Sequence, residues 1–70
     1  MFLVKTRDGR LFELEEIKVG EWMIKNDKGE KKKVIRFGNN LSLQRGVPIF
    51  VEHKDKEIST PAIVDIFKRI

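Results

Sequence analysis

Apolar and polar residues alternate with a period of two along most of this chain, which predicts a succession of short strands. The clearest case is the pair "FLVKT" and "RLFELEE", residues 2–6 and 10–16, on either side of "RDG". With Arg7, Asp8 and Gly9 as a three-residue loop, Val4 faces Phe12 and Phe2 faces Leu14, so all four apolar side chains share one side. A two-residue Asp8-Gly9 loop would set Val4 against Glu13 and split the set. A slip of one residue inverts every side chain of a strand, so the hydrophobic pattern selects the three-residue loop, with Gly9 at its left-handed position.

A second hairpin follows, "EWMIKN" and "EKKKVIRF" around "DKG". The same reasoning favours an even-length loop here, either Lys28-Gly29 or Asn26 to Gly29. Both bring Trp22, Ile24, Ile35 and Phe37 to one face, whereas a three-residue loop would set Ile24 against Lys32. In the two-residue register Met23 lies opposite Val34 and Lys25 opposite Lys32 on the other face.

Further along, "LSLQR" alternates as a half-buried strand, and Pro48 belongs at the start or edge of the strand "IFVEH" because it has no amide to donate. The tail changes period. Thr60 suits an N-cap, Pro61 a first helical position, and Ile63, Ile66, Phe67 and Ile70 fall on one helical face. Lys68 and Arg69 would complement the end of its dipole. The expectation is a mainly β single domain over residues 1–70. Its form is a small SH3-like or OB-like barrel of five to six short antiparallel strands with one C-terminal helix. An open antiparallel sheet with the helix on one face is the rival architecture.

Composition narrows the chemistry. The chain has no cysteine and one histidine, which excludes disulfides and thiolate zinc sites, and His53 alone cannot hold a metal. No apolar run approaches the ~20 residues of a membrane-spanning helix. The reading is a soluble, cytoplasmic protein with no membrane role. Charged residues make up 37% of the chain, rich in Lys and Glu, a leaning toward a heat-adapted source.

The net charge of +4 is concentrated. Residues 1–30 hold six basic and seven acidic side chains, and residues 46–70 hold four of each. Residues 31–45 hold Lys31, Lys32, Lys33, Arg36 and Arg45 with no acid at all. On the expected outer face of the second hairpin, Met23, Lys25, Lys32, Val34 and Arg36 gather, with Arg45 extending the patch. Cations there would neutralise phosphates without choosing a sequence, and Met23 and Val34 would wedge between base steps. The expected function is nucleic-acid binding, with duplex DNA favoured and no cofactor or small-molecule substrate.

The opening hairpin "VKTRDGRLFEL", the basic hairpin "WMIKNDKGEKKKVIRF" and the closing helix together resemble, in layout, the small archaeal chromatin proteins. That resemblance implies an SH3-like barrel that grips duplex DNA with the outer face of three strands, through apolar wedges and basic side chains.

Two other readings stand beside this one. A lysine run on an exposed strand serves solubility and keeps a sheet edge from pairing. Alternatively, consecutive Ile49, Phe50 and Val51 would give an edge strand an apolar patch for a homodimer, for β-augmentation by a partner, or for the target of a small accessory or inhibitor subunit. An enzyme is not expected. No phosphate-binding glycine loop, metal spacing or nucleophile signature occurs, and nothing orients His53 as a base.

Overall fold

In the computed structural model, which describes residues 1–68, the chain forms seven antiparallel strands and, among those residues, no helix. The strands are β1 (Phe2–Thr6), β2 (Leu11–Lys18), β3 (Glu21–Lys25), β4 (Lys31–Phe37), β5 (Ile49–His53), β6 (Lys56–Ser59) and β7 (Ile63–Lys68). They pair in the order β6-β5-β4-β3-β2-β1-β7, a meander whose last strand returns beside the first. None of the described residues forms a helix long and apolar enough to cross a membrane.

The ladder is bent at β4. Lys31, Lys32 and Lys33 pair with β3, whereas Val34, Arg36 and Phe37 pair with β5. One strand therefore belongs to two sheets, a first sheet of β7, β1, β2, β3 and the start of β4, and a second of the rest of β4, β5 and β6. The two curl into a half-barrel, and Val4, Phe12, Leu14, Ile24 and Ile63 of the first meet Val34, Phe37, Ile49 and Val51 of the second in one buried core. At the start of β7, the Ile63 amide donates to the Val47 carbonyl at 3.2 Å and the Gly46 amide to the Ile63 carbonyl at 2.7 Å. Gly38 sits beneath Pro48, where a β-carbon would lie 2.7 Å from the ring.

Both N-terminal hairpins close on the same three-residue loop. The Thr6 amide donates to Arg10 and the Gly9 amide back to Thr6, both at 2.9 Å, and Phe2, Val4, Phe12 and Leu14 pair as the sequence predicts. In the second hairpin the Asn26 amide donates to Glu30 at 3.0 Å and the Gly29 amide to Asn26 at 3.1 Å. This corrects the even-length loop expected there. Asn26 decides the matter locally: its Oδ1 accepts the amides of Lys28 and Glu30, each at 2.9 Å, and so fixes the turn. Ile24 consequently stands opposite Lys32, and Met23 opposite Lys33.

Three bulges then restore the inward pattern. The registers skip one residue at Ile17 in β2, at Ile35 in β4 and at Val64 in β7. Each skipped residue is apolar and turned outward: Ile17 is 53% exposed, Ile35 46% and Val64 41%. A bulge leaves one residue unpaired, so its neighbours keep facing the core. In β4 this puts Val34 and Phe37 inside and Ile35 outside, where Ile35 and Phe37 were expected to share the interior.

The expected C-terminal helix is not formed over the described residues; β7 takes its place, and Arg69 and Ile70 lie outside them. The Val64 bulge explains the misleading spacing. Ile63 and Ile66, three apart, both face the core from a bulged strand, as they would from a helix. β-branched residues and an open β1 edge favour the strand, and a helix of about ten residues is marginal alone. Residues 41–45 likewise form no strand. Leu41 is 81% exposed in the long β4–β5 connection, while Leu43 packs on the core.

Candidate interaction face

The side chains that β1, β2, β3, β4 and β7 turn away from the core line up in rows across the first sheet. One row runs Asp65, Lys5, Leu11, and the next runs Phe67, Leu3, Glu13, Lys25, Lys31. A third runs Glu15, Met23, Lys33. Read along the strands, β2 presents Glu13, Glu15 and then Ile17; β4 presents Lys31 and Lys33 and, past the bend into the second sheet, Ile35; β3 lies between β2 and the start of β4 with Met23 and Lys25. A groove of about 500 Å3 opens on this face. Met1, Ile17 and Met23 contribute its apolar lining, Glu13, Glu15 and Glu21 its acidic part, and Lys25, Lys31 and Lys33 its basic part.

This arrangement divides the residues expected to form one cationic surface. Met23 and Lys25 are on the outer face. Lys32 and Val34 are on the inner side, Val34 only 8% exposed within the core and Lys32 half-buried beside Phe12, Ile24 and Val51 at one end of the half-barrel. Lys32 lines the same small groove as Arg10, Ile24 and Glu30, and a lysine tolerates such an inward position because its long stem is apolar and its head can stay in water. Arg36 is outward but engaged: its guanidinium lies 3.9 Å over the Phe50 ring and its Nε is 3.2 Å from Glu57. Arg45 is exposed in the β4–β5 connection, beside Gly46.

The second expected surface is corrected too. β5 lies between β4 and β6, so it is not an edge, and Ile49 and Val51 are core residues. Phe50 points outward beneath Arg36. The edges of the ladder are β6, exposed throughout, and β7.

The residues missed by sequence reasoning are Lys31, Lys33, Glu13, Glu15 and Ile17. The signal lay in the likeness of the two loops. Thr6-Arg7-Asp8-Gly9-Arg10 and Asn26-Asp27-Lys28-Gly29-Glu30 both place a short polar side chain three residues before a left-handed glycine. Treating them alike gives the observed register. Trp22, expected inside, packs half-buried with its ring 5.9 Å from Phe2 and 5.7 Å from Phe37.

Electrostatically the face is striped, not cationic. Among the described residues the ion pairs are Asp8–Arg10 and Arg36–Glu57, so Lys25, Lys31 and Lys33 form none there. His53, half-buried at the end of β5, belongs to no metal-ligating group among the described residues. Compared with known proteins, the chain matches no family model, no curated protein and no solved structure.

Proposed function

We propose that this chain is a protein-binding module that works through the outer face of its first sheet. One observation carries the reading: a groove with apolar residues in it lies between an acidic strand and a basic strand. Exposed apolar side chains framed by charges of both signs suit a protein surface, which can bury the former and answer the latter. A duplex offers only negative charge at its backbone, and it would meet Glu13 and Glu15 beside the lysines. The half-barrel layout supports an SH3-like scaffold, a rigid frame for such a face.

The second reading is nucleic-acid binding, redrawn onto Lys25, Lys31 and Lys33. It is favoured by their adjacency on β3 and β4 and by their lack of ion pairs among the described residues.

The chain has no cysteine, so one can be introduced at will. Met23→Cys on the face and Lys54→Cys at the β5–β6 turn, each carrying a photo-activated crosslinker, are illuminated in an extract of the protein's own cells. The proposal expects protein adducts from position 23 and not from position 54. Nucleic-acid adducts from position 23 would replace it with the second reading, and identical behaviour of the two positions would overturn both.

A further inference from the structure

The outward side chains of β2 and β4 answer one another in order. β2 carries Glu13, Glu15 and Ile17, and β4 carries Lys31, Lys33 and Ile35, with the first two of each list in shared rows on either side of β3. Charge therefore reverses across Met23 while the chemical sequence along each strand is kept.

We infer that the partner of this face is a second copy of the same chain, related by a two-fold axis that runs along β3 between two stacked sheets. The inference rests on the protein-binding reading above. A rotation about that axis exchanges the two sides of β3, so β2 of one copy lies over β4 of the other. Glu13 then meets Lys31, Glu15 meets Lys33 and Ile17 meets Ile35, each contact made twice, with Met23 against Met23 at the centre. On the axis Lys25 faces Lys25 of the second copy, with Glu13 of its own sheet beside it and Glu13 of the second copy diagonally across, so one like-charge contact stands against four opposite-charge ones. A two-fold axis set across the strands instead would lay β2 on β2 and β4 on β4, acid on acid and lysine on lysine. Every contact between flanking strands is then like-charged, which disfavours that arrangement against the axis along β3, where all of them are opposite.

The dimer also accounts for the exposure of two bulge residues. Ile17 and Ile35 are about half exposed in the single chain, and neither has a role in the core. Two-fold stacking covers both with one contact. Sheets stacked face to face in this way sit about 10 Å apart, within reach of Glu and Lys side chains from opposite sides.

Charge exchange between two variants tests the axis. Glu15 and Lys33 are both exposed, so Glu15→Lys and Lys33→Glu leave the core alone. Each variant, checked for folding by circular dichroism, is weighed by sedimentation equilibrium, separately and as an equal mixture, at low and high salt. The wild type is expected to be a dimer that weakens with salt. Each variant alone carries two like-charge contacts per dimer and is expected to dissociate at least tenfold more readily, in keeping with the cost of like charges at an interface. The mixture is expected to regain dimers, because every reversed side chain then meets an opposite one.

A monomeric wild type overturns the dimer, and so do variants that associate as tightly as the wild type or a mixture that stays monomeric. Protein adducts from position 23 in the crosslinking experiment would, in any of those cases, leave the broader binding reading standing with a different partner.

Discussion

The guanidinium of Arg36 lies 3.9 Å above the centre of the Phe50 ring, and the two residues stand directly opposite each other on β4 and β5. The same side chain meets Glu57 of β6, so one arginine joins all three strands of the second sheet on its outer side. Its positive charge is engaged within the fold. A double-mutant cycle with Arg36→Ala and Phe50→Ala should give a coupling of about 0.5–1 kcal/mol, typical of an exposed cation–π contact. Glu57→Gln should cost about 1 kcal/mol or less, since the pair is solvent-screened. Urea denaturation measures all three. A coupling near zero would show that the stacked arrangement contributes nothing to stability.

The register of β4 makes a paired prediction. Val34 is in the core and Ile35, one residue on, is outside. Val34→Glu should unfold the protein or destabilise it by more than about 3 kcal/mol, because a buried carboxylate would have no partner. Ile35→Glu should change monomer stability by about 0.5 kcal/mol or less while weakening the proposed dimer. Thermal melts at low protein concentration separate the two. The reverse order of effects would mean that the even-length hairpin loop is the correct one.

Gly38 is required by close approach. A methyl group at this position would press on the Pro48 ring, 2.7 Å from one ring carbon and 2.8 Å from another, while the Gly38 amide is held by the Pro48 carbonyl at 2.8 Å. Neither side can retreat without loosening that bond. Gly38→Ala should therefore destabilise by about 1–3 kcal/mol, the usual cost of overpacking. A chemical denaturation midpoint equal to that of the wild type would refute the contact.

The first hairpin loop sets an acid limit. The Thr6 hydroxyl donates to the Asp8 carboxylate, and Arg10 lies 2.6 Å from its other oxygen. Chiefly through the Thr6 hydrogen bond, and then through Arg10, the Asp8 carboxyl is held below its usual value of 3.8. A lowered value in the folded state means that the ionised form stabilises folding. That contribution is complete above about pH 4 to 5 and disappears as pH falls through the folded-state value. Asp8→Asn should remove this part of the acid dependence, so wild type and variant should converge as pH falls through the folded-state value and differ most near neutrality. Denaturation curves recorded from pH 2 to 7 test it, and parallel curves across that range would contradict the assignment.

How much of this was legible in the sequence depends on where the period of two is kept. The first hairpin keeps it, and Phe2, Val4, Phe12 and Leu14 pair as read. The pattern fails at Ile17, Ile35 and Val64, because a bulge shifts the period by one and no turn residue announces it. Inward pairs then fall three apart, as with Ile63 and Ile66 or Val34 and Phe37, and such spacing reads as helix or as the wrong face. The hairpin at Asn26 failed for another reason. There the Asn26 turn overrides the hydrophobic pattern and sets a lysine on the inner side, which a reading by pattern alone rejects. The proposed interaction face is hidden when Lys32 stands in for Lys31 and Lys33, since the acids of β2 then have no counterparts.

Five of the six neighbouring strand pairs join consecutive strands, and only β1 with β7 brings Phe2 to Lys68. Among the described residues that seam joins the two strands farthest apart in sequence, so its closure carries the largest loop entropy of any strand pair. Until residues 63–68 arrive, the backbone of Leu3 and Lys5 presents an open ladder to any passing strand. A chain lacking this strand would therefore lose Ile63 and Ile66 from its core and gain a sticky flank at the same time, so aggregation accompanies unfolding as the fate built into its topology.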